Sequence, residues 1–368
     1  MINGKIVRAL DVGYGNVKFV RRHESMEESV ICDMFPSRAP AATDSSIGEG
    51  TLKKRETVIV KVGEVNYEVG HDVSLAQSAN AISSILDEKF VQSDGYMARA
   101  LGAFHYMFTD IDEDYIDMLV VGLPVNGIKE NKAYLIQKLK GKHMLPGGRE
   151  VEIKDVRVFE QPLGAFYNFM YSPDEPKNFS YSVMRTQRTL IIDPGMYTFD
   201  WLLVDNMKAS DDRSGGTTRA MSDVIKAMAK VIAKEVDTNP AQMFKIIDDA
   251  IRAGLNPSAF NQDIDIDNYT HYATSVINES VDAMSNSVGD GVDIKNIMLV
   301  GGGARFFLPA IKAKYPKHEI ITTNNAVYAN VIGFQMAGER AYLKDQVQTR
   351  KNNLIAAWKA YKWNMQMQ

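Results

Sequence analysis

The spacing of apolar residues predicts an α/β chain in which short buried strands alternate with amphipathic helices. At the N-terminus, the apolar runs of residues 5–13 and 16–20 flank a glycine-rich turn, which is typical of a β-hairpin. The other predicted strands cover 57–61, 64–69, 117–125, 297–300 and 319–323. Apolar residues three and four positions apart predict helices over 94–109, with Asp94 as N-cap, and over 128–140, 161–171, 219–236, 240–253, 268–287 and 326–343.

The strand, turn and strand of the N-terminus recur about half a chain later. In the first copy an apolar run ends in Asp11, and Gly13 follows two residues later. In the second copy Asp193 and Gly195 have the same spacing after an apolar run, and an apolar return strand follows again. This recurrence favours two similarly built domains that face one ligand. The alternative is a chance match between two hairpins, because Asp-x-Gly is a common turn.

A change of composition separates the two copies. Residues 172–182, SPDEPKNFSYS, are polar and rich in proline and serine, as in a loop or linker. We therefore predict a first domain over residues 1–172 and a second over 173–334. The remaining segment, 335–368, is helix-like and is expected to pack back on the first domain.

Composition narrows the class of protein. The chain has 368 residues and a formal net charge of −4, which does not indicate a nucleic-acid surface. Cys32 is the only cysteine, so an intrachain disulfide and a thiolate metal site are excluded. The N-terminus lacks the apolar core of a signal peptide, and no apolar run approaches the roughly 20 residues of a membrane span. These features predict a cytoplasmic protein.

The first hairpin carries residue types suited to phosphate and magnesium. Asp11 ends a buried strand, and Mg²⁺ prefers carboxylates and waters while it bridges phosphates. Glycines in the turn let backbone N–H groups approach phosphate oxygens closely. Lys18 would place a point charge on the phosphates, unless it is a solvated strand residue. The candidates for cofactor binding in this hairpin are Gly13, Tyr14, Gly15, Asn16 and Lys18.

The second hairpin offers corresponding residues. Asp193 is the second candidate for magnesium and for catalysis, and Pro194 restricts it to an extended backbone. Gly195 and Thr198 are candidates for cofactor binding, since a hydroxyl can contact a phosphate or a metal-bound water. Asp200 is either a residue that supports the metal site or a surface charge.

Three glycines, Gly301, Gly302 and Gly303, follow a predicted buried strand. They suit the close approach of adenine and ribose, and a helix starting near Ala304 would direct its N-terminus to the ligand. A packing role for the glycines is the alternative. The spacing matches neither GxxxxGK[ST] nor GxGxxG. By position alone, the cofactor-binding candidates also include Ser214, Gly215 and Gly216.

Gln161 begins a predicted helix directly after a predicted strand. A glutamine between two phosphate loops can orient a hydrolytic water, because positioning and electrostatics dominate phosphoryl transfer. Glu160 is the neighbouring catalytic candidate and the stronger base, but strand alternation would direct it to the opposite face. Either residue could instead be an ordinary polar residue at the start of a helix.

Five segments occur in the order of the signatures of ATPases with the actin/Hsp70/sugar-kinase fold. LDVGYGNVK (10–18) and IIDPGMYTFD (191–200) resemble the phosphate-1 and phosphate-2 loops, and VGGGARF (300–306) resembles the adenosine motif. EQPLGA (160–165) and NAVYANVIGF (325–334) resemble the two connecting helices. The resemblance implies an α/β fold of duplicated, ribonuclease H-like domains with a nucleotide cleft between them.

Within this superfamily, the segments LDVGYGN, FPSR, YEVG and QPLGA are similar to the ParM/StbA plasmid-segregation branch and its archaeal actin-like relatives. The resemblance implies polymerisation driven by ATP or GTP with Mg²⁺, and hydrolysis within the filament. It also implies a DNA-binding adaptor protein, with no direct DNA binding and no membrane contact. By the same match, Asp11 and Asp193 resemble the aspartates that face metal and phosphate, and Gln161 resembles the residue that positions water.

One segment departs from the family pattern. The phosphate-2 loop usually carries small residues, and here it is crowded by Pro194, Met196, Tyr197 and Phe199. The departure implies altered contact with the terminal phosphate and slow hydrolysis.

Three other functions fit the same fold. A sugar or acetate kinase would need a substrate-binding insertion and a further catalytic aspartate, and the chain is short for that. A chaperone of the Hsp70 type would need a long C-terminal substrate-binding part, but only about 35 residues follow the second connecting helix. A nucleotide-binding regulator or scaffold that forms no filament is the alternative without enzyme activity.

Overall fold

A computed structural model of the chain describes residues 5–23, 29–43, 53–76, 89–171, 184–322 and 327–344. Its strands are β1 (Val7–Val12), β2 (Asn16–Arg22), β3 (Ile31–Pro36), β4 (Thr57–Val62), β5 (Val65–Gly70), β6 (Tyr115–Ile116), β7 (Met118–Leu123), β8 (Gly141–Met144), β9 (Glu150–Ile153), β10 (Val156–Glu160), β11 (Thr189–Pro194), β12 (Phe199–Asp205), β13 (Lys208–Ala209), β14 (Gly215–Thr217), β15 (Ser258–Ala259), β16 (Gln262–Asp263), β17 (Asn296–Leu299) and β18 (Ile320–Thr322). Its α-helices are α1 (Asp94–Met107), α2 (Ile128–Leu139), α3 (Gln161–Tyr171), α4 (Met221–Glu235), α5 (Pro240–Ala253), α6 (Thr274–Val288), α7 (Ala304–Lys314) and α8 (329–344).

Two sheets with the same strand order dominate the fold. The first has the order β3-β2-β1-β7-β10, and the second has the order β13-β12-β11-β17-β18, with β14 paired to β12. In each sheet the first three strands along the chain form an antiparallel meander, and the two later strands add in parallel on the other side. The predicted duplication is therefore confirmed in the topology.

The two hairpins that start the sheets also match in their hydrogen bonds. The Gly13 amide donates to the Asn16 carbonyl at 3.1 Å, and the Gly195 amide donates to the Thr198 carbonyl at 2.8 Å. Both bonds span three residues and close the turn in the same way. Across each hairpin, Asp11 pairs with Lys18 and Asp193 pairs with Asp200, again at the same spacing.

The central strands β1, β7, β11 and β17 are buried on both faces, because helices cover both sides of each sheet. One face of the first sheet packs on α1 and α2, and one face of the second sheet packs on α4, α6 and α7. Each remaining face is covered by a helix that follows the other sheet along the chain. We call these two helices, α3 and α8, the exchanged helices. Helix α3 follows the first sheet along the chain but packs on Ile191 and Met298 of the second. Helix α8 follows the second sheet but places Val331 and Phe334 on the first.

The exchanged helices α3 and α8 touch through their backbones. A Cβ on Gly333 would overlap the carbonyl of Gly164, and one on Gly164 would overlap the backbone of Asn330. The Asn330 side chain also accepts a hydrogen bond from the Ala165 amide at 3.2 Å. The small residues in the two connecting segments therefore allow the helices to cross in direct contact.

Local expectations differ from the structure in a few places. Asp94 is the first residue of α1 rather than its N-cap, because the Ser93 hydroxyl accepts from the Tyr96 amide and caps the helix instead. Strand β3 was not predicted, since its charged and turn-forming neighbours mask a short apolar run. The predicted linker at 172–182 and residues 345–368 of the predicted C-terminal helices lie outside the described residues, and the domain boundaries stay predictions.

A buried carboxylate joins three segments at the edge of the first domain. Asp117 is 8% exposed, and it accepts hydrogen bonds from the Ile6 amide at 3.0 Å, from Lys154 at 3.2 Å and from Lys5 at 3.3 Å. Burial disfavours the charged form, but these donors outweigh it and hold the pKa of Asp117 below its usual value.

We expect Asp117→Asn to destabilise the fold by about 1–3 kcal/mol at neutral pH, because charge-assisted hydrogen bonds are lost. A lowered pKa stabilises the fold above about pH 4, the unfolded value, and this contribution is lost as the pH falls through the folded pKa. Urea unfolding at several pH values measures the free energy of unfolding of Asp117→Asn and of the unaltered protein. The difference between the two free energies should shrink in acid. Asp112→Asn, on an exposed neighbouring side chain, should show no such difference. A difference for Asp117→Asn that is constant with pH would contradict this account.

Candidate functional site

A cleft lies between the two sheets and receives the turns of both starting hairpins. Its lining comes from the first hairpin, from the second hairpin, from the start of α3, from the glycine loop before α7, and from α4, α5 and α8. The sequence-predicted residues that line it are Asp11, Gly13, Tyr14, Gly15, Asn16, Lys18, Gln161, Asp193, Gly195, Thr198, Gly301, Gly302 and Gly303.

At the first hairpin, Asp11 is held between an amide and an amine. Gln161 donates from Nε2 to one carboxylate oxygen at 2.8 Å, and the Lys18 Nζ lies 3.7 Å from the other oxygen. Lys18 has an 18% exposed side chain, so it is not a freely solvated strand residue. Asp11 as a whole is 2% exposed and lines the cleft. This arrangement places the Asp11 carboxyl group and the Gln161 side-chain amide side by side in the lining of the cleft.

At the second hairpin, Asp193 is buried and hydrogen-bonded from α8. The Asn330 Nδ2 donates to its carboxylate at 2.7 Å. Burial raises the pKa of Asp193 above its usual value, although the bond from Asn330 and the charge of Lys18 oppose the shift. A bound cation would favour the ionised form. Asp193 is therefore a buried carboxyl group for which the nearby positive charge does not offset the cost of burial.

Asp200 occupies the position that Lys18 holds in the first hairpin. It is 3% exposed, so the alternative that it is a surface charge is wrong. The Val125 amide from the other domain donates to it at 3.0 Å. Burial raises the pKa of Asp200 to about 7, and the nearby charge of Asp193 adds to the shift. Asp200 thus joins the two domains behind the cleft.

The three glycines of the adenosine-like loop differ in their surroundings. Gly301 has a φ of +80°, and a Cβ there would overlap the Asp193 carboxylate. A Cβ on Gly303 would lie 2.6 Å from Met221. At Gly302 the space is open. Packing thus explains the first and third glycines, whereas no atom limits a side chain at Gly302.

Aromatic rings connect the two hairpins. The rings of Tyr14 and Tyr197 lie 4.4 Å apart, and Tyr14 also stacks on Phe90 at 4.2 Å. Of the bulky residues in the second hairpin, Phe199 is fully buried in the core, and Tyr197 lines the cleft. The predicted crowding therefore takes the form of an aromatic contact across the cleft.

Sequence reasoning missed two charged residues of α5. Asp248 and Arg252 line the cleft and form an ion pair at 2.7 Å. Their spacing of four residues is that of an ordinary surface pair on a helix, so the sequence gives no signal that they face a ligand site.

Some predicted site residues lie outside the cleft lining. Ser214 accepts from the Leu203 amide at 3.0 Å, and Gly215 and Gly216 pair with β12 in the second sheet. Glu160 is the last residue of β10, and Ala304 begins α7. The structure brings none of these to the cleft.

The described residues contain no group of three or more histidine, cysteine, aspartate or glutamate side chains that could hold a metal. The cleft has Asp11 and Asp193 from opposite hairpins instead. Mg²⁺ is usually bound by one or two carboxylates together with waters and substrate phosphates. The donor set therefore fits Mg²⁺ held jointly with a phosphate. No helix in the described part of the chain is long and apolar enough to cross a membrane.

Comparison with known protein families gives two matches. The model for the N-terminal domain of actin-like proteins matches residues 9–164. The model for the C-terminal part of the archaeal actin homologue, MreB-like, matches residues 191–313. Together the two matches take in both hairpins and the glycine loop. No curated protein matches the sequence.

Solved structures share the fold at low sequence identity. The apo pSK41 ParM protein is 18% identical with a TM-score of 0.63, and the match covers 94% of this chain and all of that one. An archaeal actin homologue, Ta0583, in complex with ADP is 19% identical with a TM-score of 0.65, covering 91% and 99%. A 15-stranded ParM filament from Clostridium botulinum is 17% identical with a TM-score of 0.66, again covering 91% and 99%.

Proposed function

Because this chain is an actin-like protein that resembles the ParM-type branch, we propose that it binds ATP with Mg²⁺ in the cleft between its domains and hydrolyses it. We propose further that hydrolysis is coupled to assembly of copies of the chain into a filament, and that the filament segregates plasmid DNA. The observation that carries the proposal is the pair of equivalent hairpins, each of which contributes an aspartate, Asp11 or Asp193, to the lining of one cleft.

The cleft residues divide the work of phosphoryl transfer. Asp11 and Asp193 would hold the Mg²⁺, which neutralises charge on the phosphates when it is bound. The amides of the two turns and Lys18 would contact phosphate oxygens. Gln161, already bonded to Asp11, would orient the attacking water. The open space at Gly302 would receive the adenosine.

Closure of the cleft would link the nucleotide to assembly. Polar contacts beside the site connect the two sheets: the Val125 amide donates to Asp200 of the second sheet, and Asn330 of α8, the helix that packs on the first sheet, donates to Asp193. A ligand that binds one arrangement of the domains better shifts the population toward it. The surface offered to a neighbouring copy then depends on the nucleotide.

The DNA would be reached indirectly. With a net charge of −4, the chain has no excess of positive charge to bind the phosphate backbone. We therefore propose a DNA-binding adaptor protein at the filament end.

Sedimentation and light scattering with Mg²⁺ test the proposal, with ATP, a non-hydrolysable analogue and ADP compared and phosphate release followed in parallel. We expect assembly with ATP that decays as phosphate appears. Nucleotide binding without assembly at any concentration would indicate a regulator or a small-molecule kinase of the same fold. The same measurements with GTP in place of ATP show which base the site prefers.

Replacing Gln161 with alanine should slow hydrolysis by about a hundredfold or more, because the oriented water is lost. ATP affinity should change little, since no phosphate contact is removed. Single-turnover phosphate release and equilibrium binding measure the two quantities separately.

Gln137→Ala is the matched control, because Gln137 is an exposed helical glutamine outside the cleft. The competing assignment to Glu160 predicts the reverse pattern, with turnover lost in Glu160→Gln and kept in Gln161→Ala. Loss of nucleotide binding in Gln161→Ala would show that Gln161 shapes the cleft rather than the reaction.

A further inference from the structure

The basic side chains of the cleft are few. Among the described residues that line it, only Lys18 and Arg252 are basic, whereas Asp11, Asp193 and Asp248 are acidic. A nucleoside triphosphate carries several negative charges, so a site with this lining needs every cation that it has. Lys18 belongs to the first domain and already lies beside Asp11. Arg252 comes from α5 of the second domain.

Arg252 reaches across the cleft to the first hairpin. Its Nη1 donates to the Asn16 Oδ1 at 2.8 Å, and its Nη2 donates to Asp248 at 2.8 Å. The Nε is buried and has no hydrogen-bond partner among the described residues. The side chain as a whole is 18% exposed. An arginine with a neutral amide as one partner and an unused buried donor has capacity for a further, stronger acceptor.

The guanidinium also lies against the turn that the proposed function assigns to phosphate. A Cβ on Gly15 would lie 2.8 Å from the Arg252 Nη1 and 3.3 Å from Met196. A side chain at this position would have to displace the guanidinium. The amides of this turn and the Arg252 side chain therefore border the same small volume.

We propose that Arg252 is a phosphate-binding residue of the cleft, which acts from the second domain opposite Lys18 and makes binding selective for nucleotides over nucleosides. This inference rests on the proposed nucleotide site and assigns to it a residue from α5. A phosphate oxygen replaces the neutral Asn16 amide as the acceptor, because charge-assisted hydrogen bonds are the stronger ones. Asp248 holds the side chain in place during the exchange.

A second arginine provides a control for cleft closure. Arg38 of the first domain donates to Asp249 of α5 at 2.9 Å and lies 3.9 Å from Asp248. Arg38 therefore connects the first domain to α5 of the second domain, but it does not line the cleft. Arg38→Gln weakens the contact between the domains and leaves the charge inside the cleft unchanged. It should alter the affinities for ATP and adenosine by the same factor.

The experiment is isothermal titration calorimetry of the full chain with ATP and Mg²⁺, ADP and Mg²⁺, and adenosine. Arg252→Gln should weaken ATP binding about ten- to a hundredfold and leave adenosine within about twofold, since one charged hydrogen-bonding group is lost. Arg252→Lys keeps the charge but loses the fork of donors, so its ATP affinity should lie in between. Lys230→Gln removes an exposed charge from the same domain and should change neither affinity.

Each outcome decides one point. If Arg252→Gln weakens ATP and adenosine equally, or leaves ATP unchanged, Arg252 does not bind phosphate and the inference is wrong while the nucleotide site stands. If the unaltered protein binds no nucleotide, the proposed function itself fails. Thermal unfolding of each variant without ligand, followed by circular dichroism, shows whether the variant is folded. If Arg252→Gln is unfolded, the comparison of ATP and adenosine is made with Arg252→Lys instead.

Discussion

Replacing Gly333 with alanine is expected to destabilise the protein by on the order of 3 kcal/mol or more, since overpacking against rigid backbone is among the largest single-residue effects. A Cβ at this position would overlap the carbonyl of Gly164, and the nearest other atoms are also backbone. No side chain can rotate to make room. Chemical denaturation followed by circular dichroism measures the loss.

Two features make this prediction specific. Alanine has the higher helix propensity by about 1 kcal/mol, so any destabilisation at Gly333 must come from the crossing rather than from α8 itself. Gly127→Ala is the matched control, because a Cβ there would meet only the Asn131 side chain at 3.6 Å, an ordinary contact. Equal stability of Gly333→Ala and the unaltered protein would show that the helices do not cross in backbone contact.

The second large effect is expected at Asp193. Replacing it with asparagine should reduce Mg²⁺-dependent ATP hydrolysis by about a hundredfold or more, because electrostatic stabilisation is the main contribution to phosphoryl transfer. Asparagine has nearly the same shape and can still accept from Asn330. Phosphate release at saturating ATP and Mg²⁺ measures the effect.

The same substitution should leave the ligand-free protein at least as stable as before, since burying the charge of Asp193 is unfavourable. Thermal unfolding with and without ATP and Mg²⁺ separates the two effects. The ligand should raise the midpoint of the unaltered protein and of Asp112→Asn, and much less that of Asp193→Asn. Normal hydrolysis by Asp193→Asn would remove Asp193 from the metal site.

The features that the sequence predicted well are those that depend on local pattern. The two hairpins were visible because an apolar strand, an aspartate and a glycine recur at one spacing, and the structure shows the same turn bonds at Gly13 and Gly195. The helices Gln161–Tyr171 and Pro240–Ala253 have the predicted bounds, whereas the helix predicted over 268–287 becomes α-helical only at Thr274. Their signal is strong because one face of each must be buried.

The features that the sequence did not predict depend on contacts between distant segments. Arg252 lies on a helix at the spacing of an ordinary surface ion pair, and Asp200 was equally consistent with a surface charge; both make hydrogen bonds to the first domain, to Asn16 and from Val125 respectively. Conversely, Ser214 has glycine-rich neighbours like those of a ligand loop, but it caps a strand edge in the second sheet. Local composition does not distinguish these cases.

The crossing of α3 and α8 has a mechanical consequence. A rotation of one domain relative to the other that preserves the contact between Gly164 and Gly333 must turn about that point, which is a fulcrum. Gln161 and Asn330, which hold the two aspartates, each lie one turn of helix from it. Displacement grows in proportion to the lever arm, so a movement at the aspartates too small to break their hydrogen bonds becomes a larger one at the outer rims of the two domains.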